Sequence, residues 1–124
     1  MDVRVGKEIP DFEVEAYVRG KEEPQHLKFS DFRGKWLVLF FYPRNFSFLC
    51  PTEIETFGNL EPDFEKENAV ILGASTDSYY AHKAWYEGDE WLDHINFPII
   101  ADSGHVLSRA FNVLQDNGDD LRGT

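Results

Sequence analysis

A stretch of apolar residues, KWLVLFFY at residues 35–42, limits the possible folds more than any other part of the sequence. It is rich in residues that favour β-strands and has no polar face, so it predicts a strand buried on both sides, as in a parallel sheet. Pro43 ends this strand, because proline cannot donate a hydrogen bond to a neighbouring strand. NAVILGAST at residues 68–76 predicts a second buried strand, and FPIIAD at residues 97–102 predicts a third.

The segment after the first of these strands has the pattern of a helix. We expect the helix to begin near Cys50, because Pro51 suits a first helical position, where its missing N–H is no loss. Pro62 is expected to kink or split this helix about one turn earlier. Its apolar residues recur at helical spacing: Ile54, Phe57, Leu60 and Phe64.

Two further helices are predicted after the second and third strands. Asp77 or Ser78 is expected to cap the second helix, and Asp102 or Ser103 the third. The resulting order of strand, helix, strand, helix, strand and helix predicts an α/β fold with a largely parallel sheet. FEVEAYV at residues 12–18 alternates apolar and polar side chains, which indicates an edge strand or a hairpin paired with QHLKF at residues 25–29.

The composition narrows the classes of function. A chain of 124 residues predicts one domain, residues 1–124, and 42% hydrophobic residues are enough for a core. A net charge of −11 makes nucleic acid a poor partner, since phosphates require Lys and Arg. The longest apolar run is too short to span a membrane, and the N-terminus lacks the apolar stretch of a secretory signal. One cysteine forms no internal disulfide, so a cytoplasmic location is expected.

That single cysteine, Cys50, lies where a buried strand gives way to a helix. A lone cysteine is often only a small buried hydrophobic residue. At the start of a helix, however, the first N–H groups and the helix dipole stabilise an anion. Such positions lower the pKa of a thiol from about 8.5 to as little as about 3.5–7.5, which makes it a nucleophile at neutral pH. Both interpretations of Cys50 remain open on this argument.

The residues around Cys50 resemble a known active-site motif. PRNFSFLC has the form Pro-x-x-x-Ser-x-x-Cys and is followed by PTE, as in the peroxiredoxin signature. With FFYPRNFSFLCPTEIETF and GASTDSYYAHKAW, the sequence is similar to the typical 2-Cys branch that includes the peroxidase component of alkyl hydroperoxide reductase. The resemblance extends from IPDF to LRGT, nearly the whole chain. It implies a thioredoxin-like fold and a thiol-dependent peroxidase that acts on hydrogen peroxide and organic hydroperoxides, without a cofactor.

The resemblance also implies roles for individual residues. Cys50 would attack the peroxide and become a sulfenic acid. Ser47 would hydrogen-bond both the thiolate and the peroxide, and Pro43 would shield the thiolate from water. Arg122 would hold the thiolate and orient the peroxide oxygens, and Glu53 would hold that arginine by a carboxylate fork. Taken singly, each residue also has an ordinary structural explanation, such as helix capping or strand termination.

Partners and metals are predicted in the same way. The resemblance implies a thioredoxin-like or flavoprotein-linked thiol reductant, and a homodimer that assembles into decamers through residues such as Ser78, Tyr79 and Tyr80. No metal is expected, because the histidines lack the close spacing of a structural zinc site. His82 and His94 are interpreted as surface or interface residues.

Members of this family usually continue beyond RGT, into further strands and a helix that carries the resolving cysteine. We therefore expect the sequence to be a truncated domain that is poorly stable and weakly active by itself, with an unpaired edge on its first buried strand. Two other functions stay open. The same thiol would serve as the switch of a redox sensor or oligomeric holdase chaperone, or it would be inert in a non-catalytic fragment.

Overall fold

The computed structural model of the chain describes residues 3, 5–45, 50–121 and 123–124, and the side chains of all of these except Cys50 and Pro51. In these residues five strands form one sheet in the order β2-β1-β5-β4-β3. The strands are β1 (Glu13–Tyr17), β2 (Gln25–Lys28), β3 (Trp36–Phe41), β4 (Ala69–Ser75) and β5 (Ile99–Ala101). The helices are α1 (Cys50–Lys66), α2 (Tyr79–Gly88) and α3 (Val106–Ala110), with short 3-10 turns at Phe29–Phe32 and Glu90–Leu92.

The three apolar strands form the parallel half of the sheet, as predicted. β3 pairs with β4 in parallel, and β4 pairs with β5 in parallel. Successive side chains point to opposite faces of the sheet, and each face has its own hydrophobic cluster. One cluster, on the side of α1 and α2, includes Phe40, Ile71 and Ile99; the other includes Phe41, Leu72 and Ile100. Apolar residues at consecutive positions were therefore the correct signal for strands covered on both sides.

The N-terminal hairpin predicted from alternation is also present. β1 pairs antiparallel with β2, with Val14 opposite Leu27, and β1 also pairs antiparallel with β5. Val14 and Ala16 are buried while Glu13 and Glu15 are exposed, so one face of β1 joins the core. The hairpin thus extends the parallel sheet through its antiparallel contact with β5.

The split of α1 that Pro62 was expected to cause is absent. α1 runs without a break from Cys50 to Lys66, with Pro62 inside it. A proline removes only one helical hydrogen bond, and Pro62 lies near the end of a helix whose Ile54 is fully buried beside the sheet. Tertiary packing of α1 therefore outweighs the local preference for a break.

The capping predictions are confirmed for α2, and Asp102 caps α3 at a distance. The Ser78 hydroxyl accepts a hydrogen bond from the Ala81 N–H at 3.2 Å. α3 begins later than expected, and the N-cap position is taken by His105. The Asp102 carboxylate nevertheless accepts hydrogen bonds from the N–H groups of Leu107 and Ser108 at 3.1 and 2.8 Å. These bonds fix the start of α3 against the end of β5.

Strand β3 lies at one end of the described sheet, so one of its edges faces away from β4. Among the described residues, its outer edge pairs only at Phe41, which forms an antiparallel bridge with Gly123. Trp36, at the start of β3, is 76% exposed. Gly123 therefore contacts β3 at its last residue, which is the end of the strand that leads to Cys50.

Candidate active site

Cys50 is the first residue of α1, at the edge of the sheet where the parallel strands end. Strand β3 ends at Phe41, and the chain passes through Pro43 before α1 begins. The fully buried Ile54, one turn into α1, belongs to the cluster that packs on this face of the sheet. The carboxyl ends of parallel strands are the usual location of ligand sites in α/β sheets. The fold therefore places the chain's single thiol-bearing residue at such an edge.

The electrostatics of this position favour an anion. α1 is 17 residues long, so its aligned peptide dipoles give a partial positive charge at its first residue, Cys50. This field lowers the pKa of a thiol at the first helical position. Glu53, half-buried in the first turn, is the acidic residue of that turn. The helix position thus agrees with the nucleophile interpretation of Cys50.

The structure describes only part of the predicted site. Pro43 is half-buried directly after the fully buried Tyr42. Ser47, Arg122 and the side chain of Cys50 lie outside the described residues. Gly123 lies beside the end of β3, where the Phe41 N–H donates to its carbonyl at 2.7 Å. β3 is the strand that leads to Pro43 and Cys50.

Sequence reasoning missed a buried polar cluster that includes two residues of the segment directly after β3. It comprises Tyr42, Asn45, Ser75, Asp77 and His82, of which only Asp77 is more than 3% exposed. The interpretation of His82 as a surface or interface residue is wrong, because its side chain is fully buried. A signal was available: His82 shares one face of α2 with buried aromatic residues at helical spacing, namely Tyr79, Trp85 and Tyr86.

Burial shifts the pKa values of this cluster toward the neutral forms. It lowers the pKa of His82 to about 4, although the Asp77 carboxylate acts in the opposite direction. Burial also raises the pKa of the Tyr42 hydroxyl well above its ordinary value, with the neighbouring Tyr86 adding to the shift. Both side chains are therefore uncharged at neutral pH and act as hydrogen-bonding groups.

The three predicted interface residues have different environments. Ser78 caps α2, and Tyr79 is 3% exposed, with its hydroxyl donating to the Glu22 carbonyl at 2.9 Å. Tyr80 is 76% exposed. Within the protomer Tyr79 thus has a packing role, and Tyr80 is the residue of the three that offers a large apolar surface.

Neither a metal site nor a membrane span is found in the described part of the chain. No three His, Cys, Asp or Glu side chains there are grouped closely enough to hold a metal ion. His94 is half-exposed, in accord with the surface interpretation. Separately, none of the described helices has the length and apolar character needed to cross a bilayer.

Comparison with known sequences gives one consistent family. The sequence model of the AhpC/TSA family matches residues 5–124. The chain is 42% identical over 123 residues to peroxiredoxin prdx-2 of Caenorhabditis elegans, covering 96% of this chain and 60% of the relative. It is 44% identical over 124 residues to the chloroplastic 2-Cys peroxiredoxin BAS1 of Spinacia oleracea, covering 96% of this chain and 46% of the relative. The chain thus spans less than two thirds of the length of these relatives.

Solved structures agree with the sequence relatives. The fold matches AhpC of Enterococcus faecalis with a TM-score of 0.90 and 36% identity, covering 98% of this chain and 72% of the other. It matches the reduced 2-Cys peroxiredoxin of Plasmodium vivax with a TM-score of 0.86 and 35% identity, covering 95% and 74%. These likenesses confirm the thioredoxin-like fold that the active-site motif implied. With a family match that covers nearly all of its residues, the chain belongs to the AhpC/TSA family, the peroxiredoxins.

Proposed function

We propose that the protein is a thiol-dependent peroxidase that reduces hydrogen peroxide and small organic hydroperoxides, with Cys50 as the reacting residue. The observation that carries the proposal is the place of Cys50 at the first position of α1, within a chain that matches the AhpC/TSA family over residues 5–124. A helix N-terminus provides the anion stabilisation that this chemistry needs, because the thiolate is the nucleophile.

The reaction proceeds in two stages. The Cys50 thiolate attacks one peroxide oxygen, the O–O bond breaks, and the leaving oxygen takes up a proton as water or an alcohol. The sulfur is thereby oxidised to a sulfenic acid. A second thiol, that of a resolving cysteine or of the reductant, then condenses with the sulfenic acid to form a disulfide and release water, and a thiol of the reductant reduces that disulfide. The net change is two electrons passed from two thiols to one peroxide.

The remaining site residues keep the roles that the family motif gives them. Ser47 would hydrogen-bond the thiolate and the peroxide, and Pro43 would restrict water near the sulfur. Arg122 would stabilise the charge that develops as the O–O bond lengthens, and Glu53 would orient Arg122. Two facts support this assignment: Glu53 lies half-buried one turn after Cys50, and the backbone next to Arg122 pairs with the end of β3.

The reductant and the assembly are part of the same proposal. A thioredoxin-like or flavoprotein-linked thiol protein would restore Cys50, and the cytoplasm would be the location. Homodimers would assemble further into decamers, through a surface that includes the exposed ring of Tyr80. In sedimentation experiments on the protein in its reduced state, we expect Tyr80→Ala to form smaller assemblies than the wild type, since the substitution removes apolar contact area. Sedimentation of the reduced wild-type protein only as a monomer would contradict the assembly.

Titration of the thiol tests the function directly. We expect the ultraviolet absorbance of the Cys50 thiolate to develop with a midpoint well below the value of about 8.5 for a free cysteine. The reduced full-length protein should then consume hydrogen peroxide rapidly, with one equivalent of sulfenic acid formed per Cys50. A thiol that is still protonated near pH 8 would overturn the proposal and leave the inert-fragment interpretation.

The same measurements separate the peroxidase from a redox sensor or holdase chaperone. Rapid turnover with a thioredoxin-like reductant identifies a peroxidase. Slow oxidation of Cys50, together with binding of unfolded client proteins by the oxidised form only, identifies the alternative. The relatives favour the peroxidase, because those of C. elegans and S. oleracea are named as peroxiredoxins.

A further inference from the structure

Asn45, five residues before Cys50, is the centre of a buried chain of hydrogen bonds. The hydroxyl of Tyr86 donates to that of Tyr42 at 3.3 Å, and the Tyr42 hydroxyl donates to Asn45 Oδ1 at 2.8 Å. The amide nitrogen of Asn45 lies 3.0 Å from His82 Nδ1. Tyr42, Asn45, His82 and Tyr86 are all at most 3% exposed. Each of these polar groups therefore depends on its protein partner, since water does not reach it.

The tautomer of His82 follows from its second ring nitrogen. His82 Nε2 lies 3.0 Å from the carbonyl oxygen of Ile100. A carbonyl only accepts hydrogen bonds, so Nε2 carries the proton, and in a neutral ring Nδ1 is then an acceptor. Burial keeps the ring neutral at pH 7 by lowering the pKa of His82 to about 4. The Asn45 amide therefore donates to His82 Nδ1, an atom that also lies 3.3 Å from the Tyr42 hydroxyl, and His82 Nε2 donates to the Ile100 carbonyl.

The backbone of Asn45 is held separately. Its N–H donates to Asp77 Oδ2 at 2.8 Å, and the Ser75 hydroxyl donates to the same oxygen at 2.7 Å. Ser75 is the last residue of β4, so this carboxylate is fixed to the centre of the parallel sheet. The main chain of Asn45 is thus bound to Asp77, which also binds the last residue of β4. The side chain of Asn45 contacts His82 of α2, and His82 in turn contacts Ile100 of β5.

We infer that Asn45 and His82 are positioning residues for Cys50: their contacts hold Asn45, five positions before the thiol, against β4 and α2 at the end of the sheet. The inference rests on the proposed function. The other side of Cys50 is fixed by the fully buried Ile54 in α1. Reaction at a positioned nucleophile is sensitive to small displacements, and a shift of about 1 Å costs as much as about 10²-fold in rate.

Substitution of Asn45 tests the inference in the full-length protein. Asn45→Ala removes the acceptor of Tyr42 and the donor to His82. We expect the rate constant for hydrogen peroxide, measured by stopped flow at a pH where Cys50 is fully ionised, to fall by at least about tenfold. We also expect the thiolate titration to move to higher pH. Tyr42→Phe, which removes one hydroxyl and keeps the ring, should change both quantities in the same direction by less.

The conservative variant Asn45→Asp provides a rescue. A carboxylate accepts from the Tyr42 hydroxyl and pairs with His82 once the ring takes up a second proton. We expect this variant to recover most of the wild-type rate and to raise the pKa of His82, which NMR titration of the ring measures. If the cluster has only a structural role, the protonation of His82 in this variant should not affect the rate at which Cys50 reacts with peroxide.

A matched control removes the effect of general destabilisation. Phe12→Leu loosens the hydrophobic cluster on the opposite face of the sheet, away from α1 and α2. It should lower the unfolding midpoint and leave the rate at full ionisation unchanged. The inference is wrong if Asn45→Ala reacts at the wild-type rate, or if Phe12→Leu slows the reaction equally. If the wild-type protein itself does not react, the proposed function fails and the inference falls with it.

Discussion

Replacing Cys50 by serine is expected to abolish peroxide reduction, with a loss of at least about 10³-fold in rate, because removal of a nucleophile has effects of this size or larger. Serine is close in size to cysteine, so the helix start and the packing of Ile54 should be preserved. The hydroxyl, however, does not ionise near neutral pH and does not form a stable product equivalent to a sulfenic acid. Stopped-flow measurement of hydrogen peroxide consumption gives the rates of both proteins.

Two further measurements make this result specific. The unfolding midpoint of Cys50→Ser should remain close to that of the wild type, which shows that the loss is chemical. Mass spectrometry of the wild type after one equivalent of peroxide should find one added oxygen atom on Cys50, the only cysteine among these 124 residues. Retention of peroxide consumption by the serine variant would show that a different group reacts.

The second large effect concerns Asp120, a carboxyl group buried without a counter-ion among the described residues. Its side chain is fully buried, and neither oxygen has a hydrogen-bond partner in the described structure. The nearby Ser108 hydroxyl donates to Asp102 instead. Burial raises the pKa of Asp120 to about 7; the Ser108 hydroxyl opposes this shift, and the negative charge of Asp102 adds to it.

The direction of the pH effect follows from this pKa. Below pH 3.8, the ordinary pKa, Asp120 is protonated in both the folded and the unfolded chain, so burial carries no penalty from ionisation. Between that pH and about 7 the unfolded chain loses the proton while the folded protein keeps it, which favours unfolding. The protein should therefore be less stable at pH 8 than at pH 5, by an amount on the order of 2 kcal/mol from this group.

Asp120→Asn should remove that part of the pH dependence. The amide has no charge to bury, so we expect the variant to be more stable than the wild type at pH 8, with a smaller difference at pH 5. Urea unfolding at the two pH values measures both differences. Asp116→Asn is the matched control, because it makes the same change of charge at an exposed position of the same loop. Equal pH dependence in the wild type and Asp120→Asn would contradict the prediction.

Asp120 lies in a segment that contacts the chain after β3 and the connection after β4. The Asp119 carboxylate pairs with Arg44 at 2.9 Å, and the Thr76 hydroxyl donates to the Gly118 carbonyl at 2.9 Å. These contacts attach the loop before Arg122 to the chain before Cys50 and to the connection between β4 and α2.

The resemblance around Cys50 was sufficient to identify the family, because the motif lies in one continuous piece of sequence. The family and structural matches then confirmed it. The roles of Ser47, Arg122 and Glu53 stay predictions. They depend on how distant segments meet around the thiol, and Ser47, Arg122 and the Cys50 side chain lie outside the described residues.

The sequence by itself determined β3, β4, the hairpin and the Ser78 cap, because each depends on residues close together in the chain and on the period of their side chains. Only the tertiary structure decided that α1 continues through Pro62 and that His82 and Asp120 are buried. A polar side chain leaves the surface when segments far along the chain close over it. His82 meets Asn45 across 37 positions, and no local pattern records such a partner.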